Sequence, residues 1–344
     1  MAFFVLFGTT KPLVIQESGK DGRNYWILHL NYWMETTQHL ARPINGLTVA
    51  HKQEIILLGS CFSTHLNGRL KRAGFRSVSN PFGVVFHPIA LAQFINESLI
   101  SSPERLLCAD DVWLSWDAGS EVYAMSEQEL TAKIATIRSE FKQAIERSEY
   151  LIITLGSAHG YRLKSTGRLV ANCHKQPGAL FEKELTEVAE MTAVWQQTLG
   201  HLKQHYPNLK VVFTVSPVRY SRDGWVENNR SKARLFELVQ QLQNDFQVAY
   251  FPAYELINDI LRDYRYFEPD GVHPNQLAVD EVWKLFRHWY FNAETISIME
   301  EMEALRKMEE HRLLFPESEK AKQFQLSFQK KRESFLSLYP FISW

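Results

Sequence analysis

The chain has 344 residues, a formal net charge of −1 at pH 7 and no block of like charges. A chain so close to neutrality offers no electrostatic footprint for a polyanion, so nucleic acid is not an expected partner. Its 45% hydrophobic and 13% aromatic residues can build the core of one large α/β domain with appendages.

The N-terminus and the cysteines bear on the compartment. The apolar stretch 1–7 lacks a basic n-region and reaches Lys11 too soon for a signal sequence. No run approaches the roughly 18 apolar residues that span a bilayer. Cys61, Cys108 and Cys173 are an odd set without close paired spacing, which argues against a disulfide framework. These features predict a cytoplasmic protein without a membrane segment.

The first elements after residue 50 alternate between strand and helix patterns. The pattern predicts a strand at 54–58, a helix at 64–73 and a strand at 76–79, which is typical of the start of a βαβ unit. A further helix is predicted from Pro88 to about Leu99.

The next section is polar and aromatic before it becomes helical. Trp113 and Trp116 lie in a stretch that predicts a hairpin or an insertion. Ser126 and Glu129 have capping-box spacing, so they predict the start of a helix that continues to Arg147.

The second half of the chain continues the alternation. A continuous apolar and β-branched run at 150–155 predicts a strand buried on both faces of a parallel sheet. The remaining predicted elements are a helix at 185–205, a strand at 210–215, a helix at 228–244, a strand at 248–251 and a helix beginning near Gln276. Strands that alternate with helices in this way predict a doubly wound α/β fold.

The C-terminal section is rich in Glu and Lys and has helical periodicity. It predicts helices at 294–313 and 319–336, separated by Pro316. These helices either pack on the core or form a contact in a homo-oligomer.

Two segments carry the residues of one predicted active site. An apolar run stops at Gly59 and leads directly to Ser60 and Cys61, as a strand ending in a catalytic elbow would. Near the other end, Asp270 stands three residues before His273. A nucleophile needs a base and a group that orients the base, so we predict Cys61 as nucleophile, His273 as general base and Asp270 as its partner.

Each of these residues has an alternative interpretation. Cys61 can be an inert buried thiol, which is common for free cysteine. Ser60 can be the nucleophile instead, and His273 can be a purely structural hydrogen-bonding residue.

Several short words in the sequence carry a family resemblance. After Gly-Ser-Cys-Phe come Asn80-Pro81-Phe82-Gly83, Leu155-Gly156-Ser157-Ala158, Asn172-Cys173-His174-Lys175, Val215-Ser216-Pro217-Val218-Arg219, Glu227-Asn228-Asn229-Arg230-Ser231-Lys232 and Asp270-Gly271-Val272-His273-Pro274. In this order, over roughly residues 34–290, they resemble the GSCFA family, which is related to the SGNH (GDSL-like) hydrolases. The resemblance implies a three-layer α/β/α sandwich with a mainly parallel, flavodoxin-like sheet.

The resemblance also implies roles, with one departure from the hydrolase pattern. The Gly-Asp-Ser word of those enzymes falls on Gly59-Ser60-Cys61, and the second-block glycine, whose backbone N–H helps to form the oxyanion hole, falls on Gly83. The third-block Gly-x-Asn falls on residues 156–158, where Ala158 replaces the asparagine. Losing one oxyanion donor lowers the rate by about 10²- to 10³-fold. We therefore expect Asn172 or His159 to donate instead.

Other polar residues near the predicted site have two interpretations each. His174 and Lys175 form either a substrate or oxyanion contact or a polar surface loop. Arg219 follows a predicted strand, and its planar guanidinium would either anchor a substrate carboxylate or phosphate or pair with Glu227. Gly156, at the end of a predicted strand, belongs to the same expected substrate-binding edge.

The resemblance suggests three regions. Residues 1–33 form an atypical extension, residues 34–292 the hydrolase-like domain and residues 293–344 a helical extension. Met34 stands where the family-like sequence begins, so it is a candidate for the true start. The alternative is a real but family-atypical strand and loop.

These observations predict a hydrolase or acyltransferase that acts on a small acyl ester or thioester and needs no metal or organic cofactor. A non-catalytic binding protein that kept the pocket is the main alternative, because the third-block asparagine is absent. A second alternative is a metal-binding protein, in which Cys61, His65, Cys173 and His174 supply the ligands.

Overall fold

A computed structural model of the protein describes residues 40, 47–100 and 103–344. The predictions about residues 1–33 and about Met34 lie outside these residues. From residue 40 onward the chain forms one unit.

Five parallel strands form the central sheet of the described part of the chain, in the order β2-β1-β6-β10-β11. Their bounds are β1 (Glu54–Gly59), β2 (Arg76–Ser79), β6 (Ser148–Leu155), β10 (Lys210–Val215) and β11 (Ala249–Tyr250), with the labels counting all strands along the chain. This strand order is that of flavodoxin-like sheets, in which the winding direction changes between the first and third strands. The predicted α/β fold class is therefore confirmed.

Helices cover both faces of this sheet. The first helix, α1 (Cys61–Arg72), packs against α6 (Gln276–Tyr290). On the other face α2 (Pro88–Leu99), α3 (Glu127–Arg147), α4 (Val188–His205) and α5 (Trp225–Phe246) pack on one another. Ile56 and Leu58 join the core under α2–α5, whereas Ile55 and Leu57 are equally buried but alternate to the opposite face.

Two small antiparallel sheets lie outside the central one. Within the described residues, one has three strands, β3 (Leu106–Ala109), β4 (Val112–Ser115) and β5 (Tyr123–Ala124), where the sequence predicts a hairpin or insertion. The other consists of β7 (His159–Leu163), β8 (Leu169–Val170) and β9 (Phe181–Leu185). The sequence pattern does not predict this second sheet.

Three predicted helix starts are wrong by three residues. The helix predicted from residue 228 begins at Trp225, directly after Gly224. The helix predicted from residue 185 begins at Val188, because Leu185 still pairs with His159 in the antiparallel ladder. The helix predicted from residue 64 begins at Cys61, because Ser60 is already its N-cap and accepts a hydrogen bond from the Phe62 N–H at 3.4 Å.

The C-terminal section forms α7 (Ala293–Glu309) and α8 (Glu319–Leu338). Their own small core contains Met302 and Phe335. The section also touches the main domain, since the Ser343 N–H donates to the Gly74 carbonyl at 3.0 Å and Arg72 pairs with Glu310. Packing on the core is thus observed, and a homo-oligomer contact stays a prediction.

The length and hydropathy of the helices show whether any of them could span a membrane. None of those in the described part of the chain combines the length and apolar character needed to cross one.

Short turns complete the chain and lead into the site. They are the 3-10 turns Gly178–Leu180, Ser221–Asp223 and Tyr264–Tyr266, a helical turn at Ala253–Glu255 and the π-helical turn Leu256–Leu261.

Candidate active site

The turn between β1 and α1 brings Cys61 to the carboxyl edge of the sheet. Gly59 has φ +128°, and a Cβ at this position would overlap the carbonyl of Thr154 on β6. The Ser60 N–H donates to that carbonyl at 3.2 Å, and Ser63 Oγ donates to Thr154 Oγ1 at 2.8 Å. The turn is therefore held directly against β6, at the point where the sheet changes its winding direction.

Asn80, which follows β2, fixes the same turn from the other side. Its Oδ1 accepts the Gly59 N–H at 2.8 Å, and its Nδ2 donates to Thr64 Oγ1 at 3.3 Å. Its carbonyl accepts the Gly83 N–H at 2.9 Å, so the predicted oxyanion donor Gly83 already has an acceptor in this structure. Gly83 has φ +77° and lies beside Gly119 and the Glu121 carboxylate.

Cys61 is the first residue of α1 and is half-buried. The N–H of a first helical residue has no intrahelical acceptor, and it points toward the positive end of the helix dipole. Burial raises the pKa of the Cys61 thiol, and backbone N–H groups of Phe62 and Cys61 only partly oppose this effect. The resting thiol is therefore protonated near neutral pH.

Asp270 and His273 form a hydrogen-bonded pair in the loop before α6. Asp270 Oδ2 lies 2.7 Å from His273 Nδ1, while Oδ1 accepts the backbone N–H groups of Val272 and His273 at 2.8 and 3.0 Å. Both side chains are about half exposed, at 49% and 52%. Among the described residues, His273 Nε2 has no hydrogen-bond partner and Cys61 has no hydrogen bond to His273.

Arg219, which follows β10, holds this loop. Its Nη2 donates to the Gly271 carbonyl at 2.8 Å, and its backbone N–H donates to the Val272 carbonyl at 3.3 Å. Three rings surround the guanidinium, with centroids 4.7 to 5.4 Å away, those of Trp225, Tyr264 and Phe267. Arg219 thus contacts loop carbonyls, and Glu227, the expected internal partner, pairs with Arg230 instead.

Two side chains of helix α5 hold the loop after β6 in place through hydrogen bonds. Ser231 Oγ accepts the Ala158 N–H at 2.7 Å and lies 3.1 Å from Ser157 Oγ. Lys232 is fully buried, and its Nζ donates to the carbonyls of Gly156 and Ser216 at 2.7 and 2.8 Å. Because Gly156 and Ser216 follow β6 and β10, one lysine ties together the ends of two neighbouring strands.

The buried ammonium of Lys232 should make stability depend on pH. Burial lowers its pKa from the ordinary lysine value of 10.5 to about 7, so between these values the unfolded chain binds a proton that the folded protein does not. The free energy of unfolding of wild type, relative to Lys232→Met, is therefore expected to rise by up to about 1.4 kcal/mol per pH unit between pH 7 and 10.

Urea unfolding at pH 7, 8, 9 and 10 measures this difference. Lys203→Met, at an exposed position of α4, controls for the loss of one positive charge. Parallel pH curves for wild type and Lys232→Met would contradict the prediction.

Comparison with known proteins supplies the family. The chain matches the GSCFA family over residues 54–286. The protein belongs to the GSCFA family. No curated protein matches the chain.

Among solved structures, the GSCFA chain is similar to an acetyl xylan esterase (Est2A) from the rumen bacterium Butyrivibrio proteoclasticus. The identity is 12% and the TM-score 0.31, and the match covers 70% of this chain and 65% of the esterase chain. At this similarity the match carries no argument about activity.

The matched GSCFA segment contains the other predicted site residues, and several of them have hydrogen-bond partners outside the Cys61 turn. Asn172 Nδ2 donates to Ser120 Oγ at 3.2 Å, and its Oδ1 accepts the His174 N–H at 2.8 Å. His174 Nε2 lies 2.7 Å from the Ser115 carbonyl, inside the small sheet, and Lys175 is exposed. Neither Asn172 nor His174 has a hydrogen bond to the Cys61 turn among the described residues.

His159, the other expected replacement donor, faces Glu227. Its Nε2 lies 4.0 Å from the Glu227 carboxylate, and its backbone N–H donates to Ser157 Oγ at 3.0 Å. Gly156 lies where expected, at the end of β6, but its N–H donates to the Phe86 carbonyl at 2.9 Å.

The metal-binding alternative depends on clustered ligands. In the described part of the chain, no three or more His, Cys, Asp or Glu side chains come together in a group that could hold a metal ion. His65 is exposed on α1, and the ring of His174 is hydrogen-bonded to Ser115. This alternative gains no support from the site.

No role for Ser231 or Lys232 is predicted from the sequence. Ser231 and Lys232 belong to a word that supports the resemblance, but the word itself assigns them no role. The sequence did contain a sign of their role. Asn228, Ser231 and Lys232 are polar residues on the same helix face as the apolar Leu235, and that face is buried. Polar side chains on an apolar helix face need partners inside the protein.

Proposed function

We propose that the protein hydrolyses or transfers the acyl group of a small ester or thioester, using Cys61, His273 and Asp270. The observation that carries the proposal is the Asp270–His273 pair, whose Nδ1 is bound at 2.7 Å while Nε2 remains open. An imidazole held in this way is oriented to accept a proton at Nε2. Arg219 ties its loop to the end of β10, along the same sheet edge as Cys61.

The chemistry runs in two halves. In the first, His273 Nε2 takes the thiol proton while Cys61 Sγ bonds to the carbonyl carbon and the π electron pair moves onto oxygen. The tetrahedral oxyanion then collapses, the bond to the alcohol or thiol breaks, and the leaving atom takes the proton from His273. This half leaves a thioester on Cys61.

In the second half, water or another acceptor loses a proton to His273 and attacks the thioester. Collapse of the second oxyanion releases the acid or new ester, and the departing thiolate takes the proton back from His273. Asp270 keeps the imidazole in one tautomer and stabilises its charged form. The backbone N–H of Cys61 lies at the attacked oxygen in this proposal, and no metal or organic cofactor takes part.

The surroundings of the elbow favour Cys61 over Ser60 as nucleophile. The Ser60 side chain is only 2% exposed and accepts the Phe62 N–H as the cap of α1. A nucleophile must reach a substrate, whereas a capping oxygen is already engaged with the backbone. Ser60 therefore has a structural role in this proposal.

Trapping of the acyl-enzyme tests the proposal. The protein is mixed with p-nitrophenyl acetate, quenched in acid and analysed by peptide mass spectrometry in wild type, Cys61→Ala, Ser60→Ala and His273→Ala. We expect an acetyl group on Cys61 in wild type and Ser60→Ala, and none in His273→Ala. Turnover that persists in Cys61→Ala, or acetyl on Ser60, would reject the assignment.

A ligand-binding protein without turnover is the second candidate. Two observations favour it, the raised pKa of Cys61 and the absence of a direct Cys61–His273 hydrogen bond among the described residues. Wild type would then release p-nitrophenol no faster than Cys61→Ala, and the Cys61 peptide would stay unmodified.

A further inference from the structure

The proposed mechanism has no assigned group for the side-chain hydrogen bond that the third-block asparagine gives to the oxyanion in the hydrolase pattern. Ala158 stands where the hydrolase pattern has asparagine. Asn172 donates to Ser120 at 3.2 Å, and His159 Nε2 lies 4.0 Å from the Glu227 carboxylate without a hydrogen bond. The N–H of Gly156 is also used, since it donates to Phe86. None of these three groups donates a hydrogen bond to the Cys61 turn among the described residues, so the neighbours of Gly156 are a further source of the donor.

Tyr220 brings a hydroxyl to this place. A Cβ built on Gly156 would lie 2.7 Å from Tyr220 Oη, so the phenol oxygen rests against the third-block glycine. The ring packs on Phe86 with centroids 5.3 Å apart, and the Tyr220 backbone N–H donates to Asn228 Oδ1 at 2.9 Å. Among the described residues, the hydroxyl itself has no hydrogen-bond partner.

The strand register brings this hydroxyl toward Cys61. Gly59 on β1 is paired directly with Thr154 on β6, so Cys61 and Gly156 each follow a paired residue by two positions. Neighbouring strands are about 4.8 Å apart, which keeps the two turns adjacent. Burial raises the pKa of Tyr220 above its ordinary value, and a negative charge on Cys61 raises it further, so the phenol stays protonated whether Cys61 is a thiol or a thiolate.

We propose that the Tyr220 hydroxyl donates the hydrogen bond to the substrate oxyanion that the third-block asparagine donates in related hydrolases. The inference rests on the proposed function, because it needs an oxyanion formed at Cys61. No bond to Tyr220 breaks in this step. The phenol O–H donates as negative charge develops and remains a phenol afterwards. Tyrosine is among the side chains that serve in oxyanion holes.

Lys232 supports this role without touching the substrate. Its Nζ lies 5.3 Å from the Tyr220 ring centroid while it holds the Gly156 carbonyl. Because the carbonyls of Gly156 and Ser216 hold this amino group in place, its contact with the ring face keeps the ring beside Gly156. Lys232 is therefore a positioning residue for the hydroxyl.

Removal of the hydroxyl alone tests the inference. Tyr220→Phe keeps the ring and takes away an oxygen that has no partner in the described structure, so folding should be preserved, as circular dichroism and urea unfolding would check. With p-nitrophenyl acetate, we expect kcat to fall by about 10²-fold and KM to stay within a few-fold of wild type. Tyr254→Phe is the matched control, because its ring also faces Lys232, at 5.7 Å.

An acyl trifluoromethyl ketone, which forms a thiohemiketal on the cysteine, gives a second readout. Its affinity should fall by a similar factor in Tyr220→Phe and stay unchanged in Tyr254→Phe. If wild type is active and Tyr220→Phe equals it in both assays, the inference is overturned and the proposed function stands. If wild type neither exceeds Cys61→Ala in rate nor binds the ketone, the proposed function fails, and the oxyanion role of Tyr220 fails with it.

Discussion

Replacement of Asp270 by asparagine is expected to lower kcat/KM for ester hydrolysis by about 10²- to 10⁴-fold while the loop keeps its shape. The amide oxygen of asparagine can still accept the N–H groups of Val272 and His273 that Oδ1 accepts now. Its NH₂ would then face His273 Nδ1 and favour the tautomer with the proton on Nε2. That tautomer cannot take a proton from Cys61.

The pH dependence of wild type provides a second check on Asp270. The backbone N–H of His273 lowers the pKa of this carboxyl to about 2, assisted by the hydrogen bond to the imidazole and by the Val272 N–H. The carboxylate therefore remains ionised above that pH, and no acidic limb of the rate profile should arise from it at pH 4 to 6.

The measurement is the steady-state kcat/KM of Asp270→Asn, compared with that of wild type and of the control variant Glu268→Gln. Glu268 is an exposed carboxylate in the same loop, so its variant controls for the loss of one negative charge. A rate for Asp270→Asn within three-fold of wild type would remove Asp270 from the mechanism.

Replacement of Gly59 by alanine is expected to lower the free energy of unfolding by at least about 4 kcal/mol. The new Cβ would lie 2.8 Å from the carbonyl carbon and 2.9 Å from the nitrogen of Thr154, and closer still to its oxygen. These are backbone atoms of a central strand, so they cannot rotate away. The φ of +128° adds strain for any residue with a Cβ.

Gly68→Ala is the matched control within the adjoining helix. Gly68 has open space around its Cα, and alanine in a helix interior is favoured over glycine by about 0.5 to 1 kcal/mol. Guanidinium unfolding should therefore show opposite signs for the two variants. A loss below 1 kcal/mol for Gly59→Ala would mean that β1 and β6 separate more easily than their packing indicates.

The strands of the central sheet could be predicted because local patterns determine them. The runs at 150–155 and 211–215 are almost continuously apolar or β-branched, as is typical of strands covered on both faces. The sheet β8-β7-β9 could not be predicted in this way, because its strands are short and β7 and β9 mix polar with apolar residues without a regular alternation. Its pairing depends on contacts across the fold rather than on periodicity.

The contacts of the site residues also differ in whether sequence spacing alone could predict them. Asp270 and His273 are three residues apart, so sequence spacing was sufficient to predict their hydrogen bond. Tyr220 and Gly156 are brought together only by the parallel crossover between β6 and β10. Arg219 has a fork suited to an anion, but its surroundings are loop carbonyls and aromatic rings, which only tertiary structure supplies.

Asn228, Ser231 and Lys232 share one face of α5, at positions i, i+3 and i+4. They bind Tyr220, Ala158 and Gly156, which form the floor of the proposed site. The floor is consequently a rigid part of the scaffold, whereas Trp225 and Tyr264 at the rim are half or more exposed. Under the proposed function, substrate preference is therefore to be varied at Trp225, in the first turn of α5, and at Tyr264, while Asn228, Ser231 and Lys232 are kept. Transfer of the site to another protein would need the whole helix together with the loop.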